Sequence, residues 1–131
     1  MNATISASFT LPNYETLTAI PCALMVRRKR VSTPAMTYSE VSATRLPAYI
    51  ESLRKRGLWR SIVARDLPLT PKQRLRKHST PFAEYFMEPR AIEQLGEAAQ
   101  EWALMTLRYH EVSEEKFPFY EAWLEPLGGA K

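Results

Sequence analysis

Few residues of this 131-residue chain are placed to do chemistry. The most suggestive carboxylate is Glu121, set among Phe119, Tyr120, Trp123 and Leu124. Apolar neighbours disfavour the charged form of a carboxyl, as general acid chemistry requires. The plainer reading of Glu121 is a glutamate on the exposed side of a strand. Three groups of cations stand apart from it: Arg27-Arg28-Lys29-Arg30, then Arg54-Lys55-Arg56, then Lys72, Arg74, Arg76 and Lys77. Such clusters neutralise phosphates or attract an anionic metabolite, and they also form ordinary solvated strand ends and polar helix faces. Any nucleic-acid association through them is expected to be weak, sequence-independent and steeply salt-dependent, because each neutralised phosphate releases counterions.

The remaining reactive types are isolated. His78 and His110 have no companion ligands at metal-binding spacing and read as surface or capping histidines. Cys22 is the single cysteine, which rules out an internal disulfide and reads as a buried structural thiol. Gly57, Gly96, Gly128 and Gly129 are scattered and form no phosphate-cradling loop. No metal and no cofactor is expected.

The bulk numbers set the frame for these residues. Hydrophobic residues make up 45% and charged residues 24% of the chain, the ordinary balance of a globular core. The length fits one domain over residues 1–131. A net charge of +4 makes the chain basic without the excess of a dedicated polycation. No window approaches 18 apolar residues, so no membrane span is expected. The first residues lack a basic stretch followed by a long apolar one, so no signal peptide is read and a reducing cytoplasm is expected.

Ten prolines punctuate the elements. Residues 4–11 place Ile5, Ala7, Phe9 and Leu11 on one side of a strand. Leu17 to Val31, with its run Ala23-Leu24-Met25-Val26, reads as a buried strand leading into four basic residues. Ser32 to Thr44 is polar and reads as a connection. For residues 45–67 two readings compete. Leu46, Tyr49, Ile50 and Leu53 fit an amphipathic helix closed by Gly57, and periodicity slightly favours it. The other reading is a hairpin, 48–55 against 58–67. Thr70-Pro71, Thr80-Pro81 and Glu88-Pro89 each look like a helix start, giving short helices over 72–78, from Phe82 through Phe86, and through Ile92 and Leu95. Pro118 and the polar cluster Ser113-Glu114-Glu115-Lys116 predict a hairpin, 102–111 against 117–125.

In order and spacing, three stretches resemble the chorismate lyase family and, more distantly, the effector domain of GntR-type regulators. They are WRSIVARDLPL at 59–69, STPFAEYFM at 79–87, and 102–127 with its ending FYEAWLEPL. Glu15-Thr16-Leu17-Thr18 is faintly similar to a fourth family segment. The resemblance implies an α+β fold, an antiparallel sheet with a few short helices around a small acidic ligand. It favours the hairpin over 48–67. It also implies a lyase that converts chorismate to 4-hydroxybenzoate and pyruvate, a step of ubiquinone biosynthesis, or a protein reduced to binding a small aromatic or cyclic carboxylate. Glu121 would be the catalytic carboxylate, and Arg65, Phe82, Arg28 and Arg108 would bind substrate. Counting back from Arg65, Ile50 stands where the family has a carboxylate-gripping arginine, so slow or absent turnover is expected alongside ligand binding. Basic residues without enzymatic activity, serving a nucleic-acid-associated or regulatory accessory protein, are the alternative.

Overall fold

The computed structural model describes residues 10–32, 45–58, 61–67, 69, 71–75 and 83–119. Its first element is helix α1, Ala19–Val26, in which all eight residues are buried. Ahead of it an Asn13 turn sets the entry: the Asn13 side chain accepts from the Glu15 amide at 2.9 Å, and the Asn13 carbonyl accepts from the Thr16 amide and hydroxyl. Pro21 falls in the first turn, where its missing N–H costs nothing. The strand expected over Leu17 to Val31 is therefore a helix. A helix buried on every side has no polar face, so its apolar run carries no period that separates it from a buried strand.

Helix α1 ends at Arg28, whose φ of 67° is left-handed. The Lys29 amide donates to the Leu24 carbonyl and the Arg28 amide to the Met25 carbonyl, a paired helix-ending motif usually built on glycine. The turn feeds strand β1, Val31–Ser32. Helix α2, Leu46–Leu53, buries Leu46, Ile50 and Leu53 and continues into a wider turn over Arg54–Leu58. Gly57 closes that turn with φ 118°, a conformation other residues avoid. The helix reading of 45–56 therefore holds and the 48–67 hairpin is corrected. Ile50 is 1% exposed in the core, not on a strand facing a ligand.

Strand β2 is Ile62–Asp66, followed by the short helix α3, Pro71–Arg74, and strand β3, Ala83–Met87. The helix expected across Phe82, Tyr85 and Phe86 is a strand from Ala83 onward. Glu84, Tyr85, Phe86 and Met87 are all buried, so aromatic density decided more than the apparent Pro81 helix start. The sheet is antiparallel in the order β1-β3-β2, with Val31 opposite Tyr85, and Ala64 and Arg65 opposite Tyr85 and Glu84. Val31, Ile62, Tyr85 and Met87 join the core cluster.

Helix α4, Pro89–Tyr109, starts with Pro89 at its first position as the sequence implied, and is interrupted at Gly96, φ 79° and ψ −171°. It runs through the expected strand 102–111, which is corrected. Glu111, φ 56°, ends it with the same bonding as Arg28: Val112 to the Leu107 carbonyl and Glu111 to the Arg108 carbonyl. A 3₁₀ turn at Glu114–Lys116 then redirects the chain where a turn was expected. Helix α1 packs against α2, α4, β1 and β3, which makes it the centre of the core. Trp102 Nε1 and His110 Nε2 bond the Pro12 and Tyr14 carbonyls, holding the N-terminal segment against α4. The architecture is α+β with a small antiparallel sheet, as the sequence implied. The expected strand over 4–11, the connection over 32–44, helical residues 76–78 and the second arm 117–125 lie largely or wholly outside the described residues.

Candidate nucleic-acid interface

Helix α2 has two faces of different character. Leu46, Ile50 and Leu53 anchor it to the core, while Arg45, Ala48, Lys55 and Arg56 are exposed and Tyr49 and Ser52 are half-buried. At about 100° per residue, positions 45, 48, 49 and 52 share one side of the helix, and exposed Lys55 and Arg56 follow in the wider turn. Three cations thus flank the helix, with Ala48, Tyr49 and Ser52 between them and Glu51 as the one charged residue within it. The Arg45 guanidinium lies 5.9 Å from the centroid of the Tyr49 ring.

The same segment is fixed to the sheet. Arg54 Nη2 donates to the Ile62 carbonyl at 3.0 Å, so the end of α2 and the start of β2 move together. Arg54 Nε is buried and has no acceptor among the described residues. Burial raises the Tyr85 phenol above its ordinary range, Arg54 opposes that shift, and Asp66 adds to it. Beyond β2 the connection to β3 carries exposed Lys72 and Arg74, and Leu75 is 88% exposed.

On the sheet, two arginines converge on one carboxylate. Arg30 Nη1 is 3.4 Å from Glu84 Oε2, and Arg65 Nε is 3.4 Å from Glu84 Oε1. Glu84 and Arg30 side chains are 6% and 15% exposed, Arg65 35%. The charge on Glu84 is thus compensated from both flanking strands.

The residues proposed for substrate fall on different elements. Glu121 and Phe82 lie outside the described residues. Arg65 pairs with Glu84. Arg28 lines an open groove of about 390 Å³ with Arg27, Glu93, Glu97, Gln100 and Phe119. Arg108 is exposed in the last turn of α4. In the groove Arg27 is already engaged, to Glu114 at 3.1 Å and to Gln100 at 2.9 Å. Lys29 Nζ donates to the Phe117 carbonyl and sits 3.7 Å from the Phe119 ring centroid.

Other reactive groups are structural. Burial pushes the Cys22 thiol up to about 12, against a smaller opposing pull from Arg56, so it is no nucleophile at neutral pH. His110 donates to the Tyr14 carbonyl at 2.8 Å and packs edge-on against Tyr109. Among the described residues no group of three His, Cys, Asp or Glu could hold a metal ion, and no helix is long and apolar enough to cross a membrane. Sequence reasoning missed the outward grouping of Arg45, Ser52 and Lys55, although the helical period that reveals it was visible. It also missed Glu84, hidden in a segment read as a helix.

The class defined by this surface is a small α+β module in which a short helix flanked by cations leads into a three-stranded antiparallel sheet. No family model, curated protein or solved structure matches the chain.

Proposed function

We propose that the chain binds duplex DNA through the outward side of α2, with the β2–β3 connection flanking it on the phosphate backbone. The observation that carries this reading is the polarity of α2 and its flanks: an apolar face anchored in the core, Ala48 and Ser52 on the other side, Arg45 just ahead of the helix, and Lys55 and Arg56 in the turn that follows it. An α-helix with its side chains is about 10–12 Å across, which the major groove, about 12 Å wide, admits. Cations here meet phosphates, while Ala48 and Ser52 are small enough for a close approach to base edges. The reading makes the protein a non-enzymatic, nucleic-acid-associated one.

Fluorescence anisotropy with a labelled duplex across a salt series tests it. If Arg45, Lys55, Arg56, Lys72 and Arg74 each neutralise a phosphate, log K falls against log salt with a slope of about −4.5. A slope near zero would contradict the proposal.

A second reading, binding of a small aromatic carboxylate with or without conversion of chorismate, is supported by the groove beside Arg28 and Phe119. Glu93 and Glu97 on the same groove oppose an anion, which places this reading second. Thermal shift with 4-hydroxybenzoate and an assay of pyruvate release test its two parts separately.

A further inference from the structure

The outer face of α4 carries a self-complementary pattern. Ala99, Ala103, Thr106 and Leu107 are buried, whereas Glu97, Glu101, Leu104, Met105 and Arg108 are exposed. Beyond Gly96 these five positions fall within an arc of about 100°. Of the six exposed large hydrophobic residues among those described, Leu104, Met105 and Tyr109 belong to the last turns of α4, with exposures of 39%, 42% and 54%. Leu17 and Tyr109 border the same surface hollow. Single exposed apolar side chains are unremarkable, but concentration on one helix face marks a contact surface.

The charges identify its occupant. Glu101 and Arg108 stand two turns apart, too far to pair along one helix, and neither has an ion-pair partner among the described residues. We infer that this face pairs with the same face of a second copy, with the two α4 helices antiparallel about a two-fold axis between Leu104 and Met105. That axis sets Leu104 against Met105 and Glu101 against Arg108, and symmetry makes each contact twice. A parallel two-fold pairing would instead oppose Glu101 to Glu101 and Arg108 to Arg108. The pattern therefore selects both the partner and its orientation. The area offered by three helical turns falls well below the roughly 1,600 Å² of a standard stable interface, so the dimer is weak and concentration-dependent. This inference does not depend on the DNA-binding reading.

Sedimentation equilibrium of the full chain, without nucleic acid and up to about 100 µM, tests it, with circular dichroism confirming that each variant folds. The wild-type chain is expected to move reversibly from monomer to dimer. Glu101→Arg and Arg108→Glu each oppose like charges twice, and each is expected to weaken dimerisation by about tenfold or more. The double variant Glu101→Arg/Arg108→Glu restores both pairs and is expected to recover the wild-type constant to within about threefold. A wild-type chain that stays monomeric overturns the inference. So does a folded double variant no tighter than the singles, because a charge swap within one chain rescues only a contact made with itself.

Discussion

Arg54 donates from Nη2 to the main-chain carbonyl of Ile62 at 3.0 Å, joining the end of α2 to the first residue of the strand that follows. The bond is charge-assisted and half-buried, and it spans the turn closed by Gly57. Arg54→Ala is expected to cost about 1.5–3 kcal/mol in urea unfolding. Lys55→Ala, one residue away and exposed, should change stability by no more than about 0.5 kcal/mol. Equal effects would show that Arg54 matters only as surface charge.

Glu84 is held from both sides by Arg30 and Arg65, and the three differ in burial. Glu84→Ala leaves the largely buried Arg30 without its counter-charge and is expected to destabilise the fold by about 3 kcal/mol. Arg65, more than a third exposed, should cost under about 1 kcal/mol on truncation to alanine. Chemical denaturation of the two variants measures the asymmetry, and the reverse order would show that Arg65 is the main partner.

Glu111 ends α4 in a left-handed conformation that an L-residue adopts at a cost of about 1 kcal/mol. Glu111→Gly removes that strain while keeping the closing bonds from Val112 and from residue 111. Stability is expected to rise by about 0.5–1 kcal/mol, read as a higher urea midpoint with an unchanged slope. A loss of stability would mean that the Glu111 side chain contributes more than its backbone strain costs.

Burial holds the Cys22 thiol protonated to about pH 12, against an unfolded value near 9. Its contribution to stability is complete below the unfolded value and is lost as pH rises from there through the folded one, at about 1.4 kcal/mol per pH unit. The raised Tyr85 phenol acts in the same direction. Denaturation midpoints measured from pH 8 to 11 should fall, and fall less steeply in Cys22→Ala. At pH 8 a thiol reagent should label Cys22 only as fast as the protein opens, so prompt labelling of the folded chain would contradict its burial.

The residues explain which parts of this fold were legible in the sequence. Leu46, Ile50 and Leu53 alternate with polar residues at helical spacing, and Gly57 marks the end, so α2 was readable from local physics alone. The resemblance to the chorismate lyase family favoured a hairpin there, and in a hairpin Arg45 and Ser52 would not share the side they share on the helix. Ala23 to Val26 offered no period, since α1 is buried all round. Tyr85 and Phe86 lie in a strand whose neighbours are buried on both faces, and a nearby proline resembled a helix start. Pro118 predicted a break in the helix, but α4 stops earlier, at a glutamate whose positive φ no residue type announces. The cationic clusters were plain in the sequence. Which side of an element they occupy, and that Glu84 answers two of them, required the three-dimensional arrangement.

The central claim is that α2 meets DNA with its outward side, and charge reversal on that side tests it most directly. Anisotropy of a labelled duplex is measured at low salt with the wild-type chain, Lys55→Glu, and Lys116→Glu on the 3₁₀ turn, which makes the same change in net charge. Lys55→Glu is expected to weaken binding about tenfold more than Lys116→Glu and to flatten the salt slope by about 1 or more. Equal losses in both variants, or wild-type binding too weak to detect at low salt, would contradict the account.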